Sequence, residues 1–324
     1  MGALRTRRGS PRSLENTAPR RSPWGSTVLS MPGSFPPDAV ADGWAEVAPG
    51  VFQRRYEPVD ISVGAIVGST GITVVDTRNS PAEAEEIIRD VADAFALPIV
   101  AVVNTHAHYD HTFGNQVFAA RGIPIYGHQL IPRHFARHEG PWLRRVQQQP
   151  ESEPDKDWAD VRLTPPTLPV EAPLHLTPGG RTIELLPLPA GHTDTDLAVL
   201  VPDARAWFLG DIVEESGPPM FGSGSYPLGW PDALEVLLGR IQSGDVLVPG
   251  HGSAVDREFV EHQASRLRSV AEWIGDAYEA GRSLDDVRPG RSLEEYWPES
   301  FLRSALEDGY AQLSNAPAIA DEGG

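Results

Sequence analysis

The chain has 324 residues, 40% of them hydrophobic, enough for one large folded domain with appendages. Its formal charge of -18 argues against nucleic acid as a partner, because phosphate binding needs clustered Lys and Arg. There is no cysteine, so disulfides, thiolate metal sites and cysteine nucleophiles are excluded, and any metal must be held by His, Asp and Glu.

Residues 1–38 read as a disordered basic extension, rich in Arg, Ser, Pro and Gly and without periodic apolar positions. The first thirty residues carry six Arg against one Glu, which leaves the remainder near -23. This stretch reads as a floppy extension or the product of an upstream start, with Met31 as the true beginning, and the alternative is a functional basic arm or targeting tail. No apolar core of roughly 7 to 15 residues follows the basic start, and no apolar run of about 18 exists. A soluble cytoplasmic protein is expected, with no membrane contact and with monomer or homodimer open.

Order is expected from Trp44 onward. "VFQRRYE", "ISVGAIVGST" and "GITVVDT" read as strands punctuated by Gly. "SPAEAEEIIRDVADAFA" (80–96) reads as a helix with Ser at the N-cap and Pro at the first turn. "LPIVAVVNT" (97–105) is a short β-branched run, a buried strand, and "IPIYGH" (123–128) is another. "GHQLIPRHFARH" has the pattern of an exposed amphipathic helix, which puts His128, His134 and His138 at the surface or behind the site, with His175 and His262 in the same class. Residues 140–178 are rich in Pro, Glu and Asp and read as a long loop or lid. Strands and turns alternate over 181–211, a helix fits 230–242, and a strand at 245–252 runs into a Gly turn. Amphipathic helices follow from Asp256. Strand pairs mixed with strand–helix units predict a layered α/β fold with helices on the outer faces.

The chemistry concentrates in "NTHAHYDHTFGN" (104–115), which holds three of the ten histidines and one aspartate within six positions. His106 and His108 stand two apart just past a strand, so an extended backbone aims both to one side. Asp110 and His111 follow where a helix over about 110–120 can begin. Neutral imidazole and carboxylate suit zinc and other borderline divalent ions. Three further ligand types sit in Gly turns at the ends of apolar strands: His192 in "PAGHTDTD", Asp211 in "WFLGDIVEE" and His251 in "VLVPGHGS".

This set resembles the metallo-β-lactamase superfamily: His-x-His-x-Asp-His at 106–111, Gly-His at 192, Gly-Asp at 211 and Gly-His-Gly at 250–252, with Asp76 as the early strand-end aspartate. The resemblance covers about residues 44–262. It implies a four-layer αββα sandwich over 39–262 with a C-terminal helical extension, 263–324, packed on it. It also implies two divalent ions, zinc, with iron or manganese as alternatives. One would be held by His106, His108 and His192, the other by Asp110, His111 and His251, with Asp211 bridging. The ligand set is similar to that of glyoxalase II and of lactonases. It departs from the lactamase branch that uses a Cys, from another that usually has no bridging aspartate, and from the flavodiiron branch.

The implied activity is hydrolysis of a small ester, thioester, lactone or lactam carbonyl by a hydroxide shared between the ions, with Asp110 steering it or passing a proton. Two alternatives remain. One is a mononuclear iron persulfide dioxygenase using His106, His192 and Asp211; the other is a non-catalytic ligand-binding member. The loop 215–230 follows Asp211, and its Met220, Phe221, Tyr226 and Trp230 are candidates to line a substrate pocket, with Tyr226 also a candidate oxyanion donor. Asp76 is expected to be structural.

Overall fold

The computed structural model describes residues 43–315, so the expected basic arm lies outside the described residues. The central strands are buried along nearly their whole length, and their successive side chains point into different cores, which sorts the strands into layers. One seven-stranded arm runs β1 (Ala45–Ala48), β2 (Val51–Tyr56), β3 (Ile61–Val67), β4 (Ile72–Val75), β5 (Ile99–Val103), β6 (Ile125–His128) and β7 (Leu168–Val170), paired in that order. The other contains β8 (Leu174–Leu176), β9 (Ile183–Pro187), β10 (Leu197–Val201), β11 (Ala206–Glu214) and β12 (Val246–His251). The two arms join at one pairing, His251 with Ile61.

Alternate side chains of each strand enter different cores. Val75 and Val103 face Leu185, Val199, Phe208 and Val248 between the sheets. Their neighbours Val74 and Val102 face outward, under α1 (Pro81–Ala94) and α3 (Asn115–Ala120). On the other side Leu186, Ala198, Trp207 and Leu247 meet α6 (Trp230–Leu238), α7 (Arg257–Glu279) and α9 (Glu299–Asn315). Three stacked cores make four layers, helix–sheet–sheet–helix, as expected from the sequence.

The helix starts follow local capping chemistry. Ser80 Oγ accepts from Glu83 N at 3.3 Å with Pro81 in the first turn, and the Asp256 carboxylate accepts from Phe259 N at 3.0 Å. The single helix expected over 110–120 is instead two, α2 (Tyr109–Thr112) and α3, parted at Gly114. A Cβ at Gly114 would meet Thr77 O at 2.1 Å, so the chain presses against the loop after β4 there.

One expectation needs correcting. Residues 140–178 are not one long loop. They hold most of α5 (Glu139–Gln148) and the strands β7 and β8, and Leu143, Val146, Trp158 and Val161 form a small core with Phe113 beside α2. The expected boundary at 262 falls within α7, and the helices beyond it pack on β10–β12 in one shared core.

Candidate metal centre

The parallel strands β4, β5 and β6 end at one edge of the sandwich, as do β11 and β12, which are parallel to one another. That edge gathers all seven ligand-type residues named from the sequence. His106 follows β5, His108 precedes α2, and Asp110 and His111 lie on it. His192 sits in the turn between β9 and β10, Asp211 lies in β11, and His251 ends β12. All seven are buried.

Their donor atoms fall into two groups. In the first, His108 Nδ1 lies 3.1 Å from His106 Nε2 and 2.8 Å from His192 Nε2, and Asp211 Oδ2 lies 3.7 Å and 3.6 Å from those two Nε2 atoms. In the second, Asp110 Oδ2 lies 3.3 Å from His251 Nε2 and 3.9 Å from His111 Nε2. Asp211 reaches into the second as well, with Oδ1 at 3.0 Å from His111 Nε2 and Oδ2 at 3.5 Å from His251 Nε2. Tetrahedral bonds of about 2.0–2.1 Å place neighbouring donors about 3.3–3.4 Å apart, so both groups fit a divalent ion.

The hydrogen bonds behind the rings fix which nitrogen faces inward. Asp76 Oδ2 accepts from His111 Nδ1–H at 2.8 Å and from the Thr105 hydroxyl at 2.7 Å. Thr105 Oγ1, its own proton so directed, accepts from His106 Nδ1–H at 3.1 Å. Val59 O accepts from His251 Nδ1–H at 2.8 Å. Ser223 O accepts from His108 Nε2–H at 3.0 Å, so this ring alone presents Nδ1. His106 Nε2 and His108 Nδ1 therefore meet as two bare lone pairs, which a cation satisfies. His111 Nε2 and Asp211 Oδ1, buried and aimed into the gap, have no hydrogen-bond partner.

The charges suit a cation too. Burial, reinforced by neighbouring imidazoles, holds His106 well below its usual range and His192 at about 3, so both stay neutral. Burial alone would raise Asp211 and Asp110. His111 and His251 outweigh it, taking Asp211 well below the carboxylate range and Asp110 to about 2. Burial would likewise lower His111 and His251, but Asp211 first and then other carboxylates draw both upward. A divalent ion would displace those protons.

Two glycines let the edge close. Gly210 adopts φ 59° against Thr105, and a Cβ at Gly250 would lie 1.8 Å from Asp211 Oδ1. A family model described as Metallo-beta-lactamase superfamily matches residues 56–254, more than half of the chain.

The chain belongs to the metallo-β-lactamase superfamily.

A "Metallo-beta-lactamase type 2" of Bacillus cereus is 25% identical over 228 residues, 69% of this chain and 79% of that one. A "2,4-dinitroanisole O-demethylase subunit alpha" of Nocardioides sp. is 26% identical over 223 residues, 68% of this chain and 62% of that protein. Among solved structures, a metallo-β-lactamase from Pontibacter korlensis matches with TM-score 0.53 and 20% identity over 69% of this chain and 98% of that one. A double mutant of the sec-alkyl sulfatase PisA1 matches with TM-score 0.65 and 19% identity over 84% of this chain and 50% of that one. These two structures bear on the fold alone. Within the described residues no helix is long and apolar enough to cross a membrane.

The metallo-β-lactamase edge divides the four pocket candidates. Trp230 is fully buried: its ring packs 5.1 Å from His192 and its Nε1–H donates to Ile212 O at 3.0 Å. Phe221 lies between Trp230 and Trp297 in the same core. Both are core residues, a correction that follows from α7–α9 covering this flank. Met220 is exposed at 40%, and Tyr226 is partly buried among Asp194, Arg133 and Arg137. The amphipathic helix expected over 127–138 forms only in its second half and buries one face. His128 ends β6, and α4 (Ile131–Arg137) buries Ile131, His134 and Phe135. His175 and His262 are exposed, as expected.

Sequence reading missed Glu214, a buried carboxyl whose donor atom lies within 4.8 Å of Asp211 and His251. Burial, then Asp211, pushes it well above the carboxylate range. A second acid, three residues after Asp211 in the apolar run "AWFLGDIVE", was the available signal.

Proposed function

We propose that this superfamily member is a dinuclear metallohydrolase acting on a small ester, thioester, lactone or lactam carbonyl. His106, His108 and His192 hold one ion, and Asp110, His111 and His251 hold the other. The observation that carries the reading is Asp211, whose two carboxylate oxygens reach donors of both groups at 3.0–3.7 Å. A mononuclear oxidoreductase would leave Asp110, His111 and His251 converged without purpose.

When bound, two divalent ions would supply Lewis acidity, lowering the pKa of a water toward neutrality and polarising the carbonyl. The chain's own groups do the rest. Asp110, held ionised, accepts a hydrogen bond from the attacking water and steers it toward the carbonyl. Asp76, Thr105, Val59 O and Ser223 O keep His111, His106, His251 and His108 in one tautomer and orientation. Met220 and Tyr226, at the rim, are the candidates to contact substrate. The names of the curated relatives span lactamase and O-demethylase, so the test panel includes lactams and aryl methyl ethers beside esters, thioesters and lactones.

Elemental analysis of the purified protein should find two divalent equivalents per chain, and a chelator should abolish hydrolysis. His108→Ala should lose both one equivalent and activity. A protein with only trace metal, or a His108→Ala variant with unchanged hydrolysis, sinks the reading.

A further inference from the structure

Beside the centre lies another group of ligand-type side chains that the hydrolytic reading leaves unused. α4 and α5 deliver His134 and Glu139, exposed by only 2% and 0%. A donor atom from each lies within 4.8 Å of the other and of one on His108. His134 Nε2 stands 3.7 Å from Glu139 Oε1, beyond hydrogen-bonding range. His134 Nε2 and Glu139 Oε2 are both buried without a hydrogen-bond partner. Native interiors rarely leave two such atoms so close together.

The surroundings are built to hold these groups in place. Asp194 Oδ1 lies 3.4 Å from His134 Nδ1 and turns Nε2 inward. Ser223 Oγ donates to Glu139 Oε1 at 3.0 Å, while Ser223 O accepts from His108 Nε2 at 3.0 Å. Gly224, at φ 74°, closes over the ring: a Cβ there would lie 2.8 Å from His134 Cε1.

We propose that His108, His134 and Glu139 form a third divalent-cation site adjoining the centre. It rests on the proposed function only in that His108 serves the centre through Nδ1. Donors 3.7 Å apart can both reach one ion through bonds of about 2.0–2.2 Å. Imidazole nitrogen and carboxylate oxygen suit zinc. The ion replaces the His108 Nε2 proton, which passes to solvent, and with it the hydrogen bond from Nε2 to Ser223 O. The resulting imidazolate and the Glu139 carboxylate then carry two negative charges against the ion's two positive ones. The site ties α4, α5 and the loop bearing Ser223 to the centre.

The test uses the full chain, stripped with a chelator, reloaded with excess zinc chloride and dialysed. Metal is counted by elemental analysis and located by anomalous diffraction at the zinc edge. Three equivalents are expected, one of them between His134 and Glu139. Glu139→Gln, nearly isosteric, and His134→Ala should each hold two and lose only that peak. Two equivalents in the wild type, with peaks only around Asp211, overturn the proposal, leave the dinuclear reading standing and make His134 an imidazolium between Asp194 and Glu139. Three equivalents in Glu139→Gln also overturn it. A peak at His134 and Glu139 without a pair around Asp211 upholds this site and overturns the dinuclear reading.

Discussion

Gly250→Ala isolates the geometry on which the centre depends. The added methyl would lie 1.8 Å from Asp211 Oδ1 and 2.8 Å from both Asp211 N and Gly210 C. Ordinary contacts begin near 3.5 Å, so the carboxylate oxygen must retreat by about 1.7 Å. Rotation of the side chain does not suffice, because the β11 backbone is crowded as well. The oxygen that would move lies 3.0 Å from His111 Nε2, so the second donor group opens. A misplacement of about 1 Å can cost roughly 10²-fold, or about 2.7 kcal/mol of transition-state stabilisation. Overpacking adds about 1–3 kcal/mol of lost stability, which a urea melt reads separately. The assay compares kcat/KM and metal content of folded variant and wild type. The expected result is at least about a 10²-fold fall in kcat/KM with a loss of bound metal. A folded Gly250→Ala with full metal content and activity within about threefold of wild type refutes the reasoning.

Asp76→Asn tests the outer shell: Asn tolerates the positive φ at this position, but its one acceptor oxygen cannot serve both His111 Nδ1–H and the Thr105 hydroxyl on one side and Thr105 N–H on the other, as the two carboxylate oxygens do. Metal affinity by chelator competition should fall about 10–100-fold, and unchanged affinity would remove Asp76 from the site. Trp230→Phe keeps a ring against His192 and loses one hydrogen bond to Ile212 O, which Gln263 Nε2 still serves at 2.8 Å. Stability should fall by about 1 kcal/mol with KM unchanged; a shifted KM at unchanged stability would return Trp230 to the pocket. Asp308 is raised to about 6 by burial and then by Glu307. Above the unfolded carboxyl pKa the unfolded chain gives up this proton first, so folded-state stability should decline as pH rises from about 4 to 6. Asp308→Asn should flatten that decline and be the more stable protein at pH 7, read by thermal melts across pH; an equal or less stable variant contradicts the shift.

Much of the centre was legible because its signals are local. A β-branched strand followed by His-x-His-x-Asp-His, and Gly turns at His192 and His251, each mark a strand end that delivers a ligand-type side chain, whereas Asp211, expected at a strand end, lies inside β11 beside the bulge at Gly210. The layered fold was legible in the same way, since alternate residues such as Val74 and Val75 belong to different cores. Other features failed because they depend on distant neighbours. Phe221 and Trp230 follow a Pro- and Gly-rich loop, and nothing nearby in sequence says that Trp297 covers them. His134 lies on a polar helix, and only the approach of Asp194, Glu139 and Ser223 shows why it is buried. The segment 140–178 lacks a long periodic run because α5 is short and its core is completed by Phe113 from elsewhere in the chain.

The sequence by itself determined the donor types, the strand ends that carry the histidines and the exclusion of sulfur, because composition and strand-end chemistry are written along the chain. Only the tertiary structure decided that Asp211 stands between two donor groups and that His108 alone turns Nδ1 inward. It also decided that Glu139 and His134 lie behind that ring. Those facts depend on which backbone carbonyl or carboxylate meets the far side of each imidazole, and folding brings those partners from up to 192 residues away.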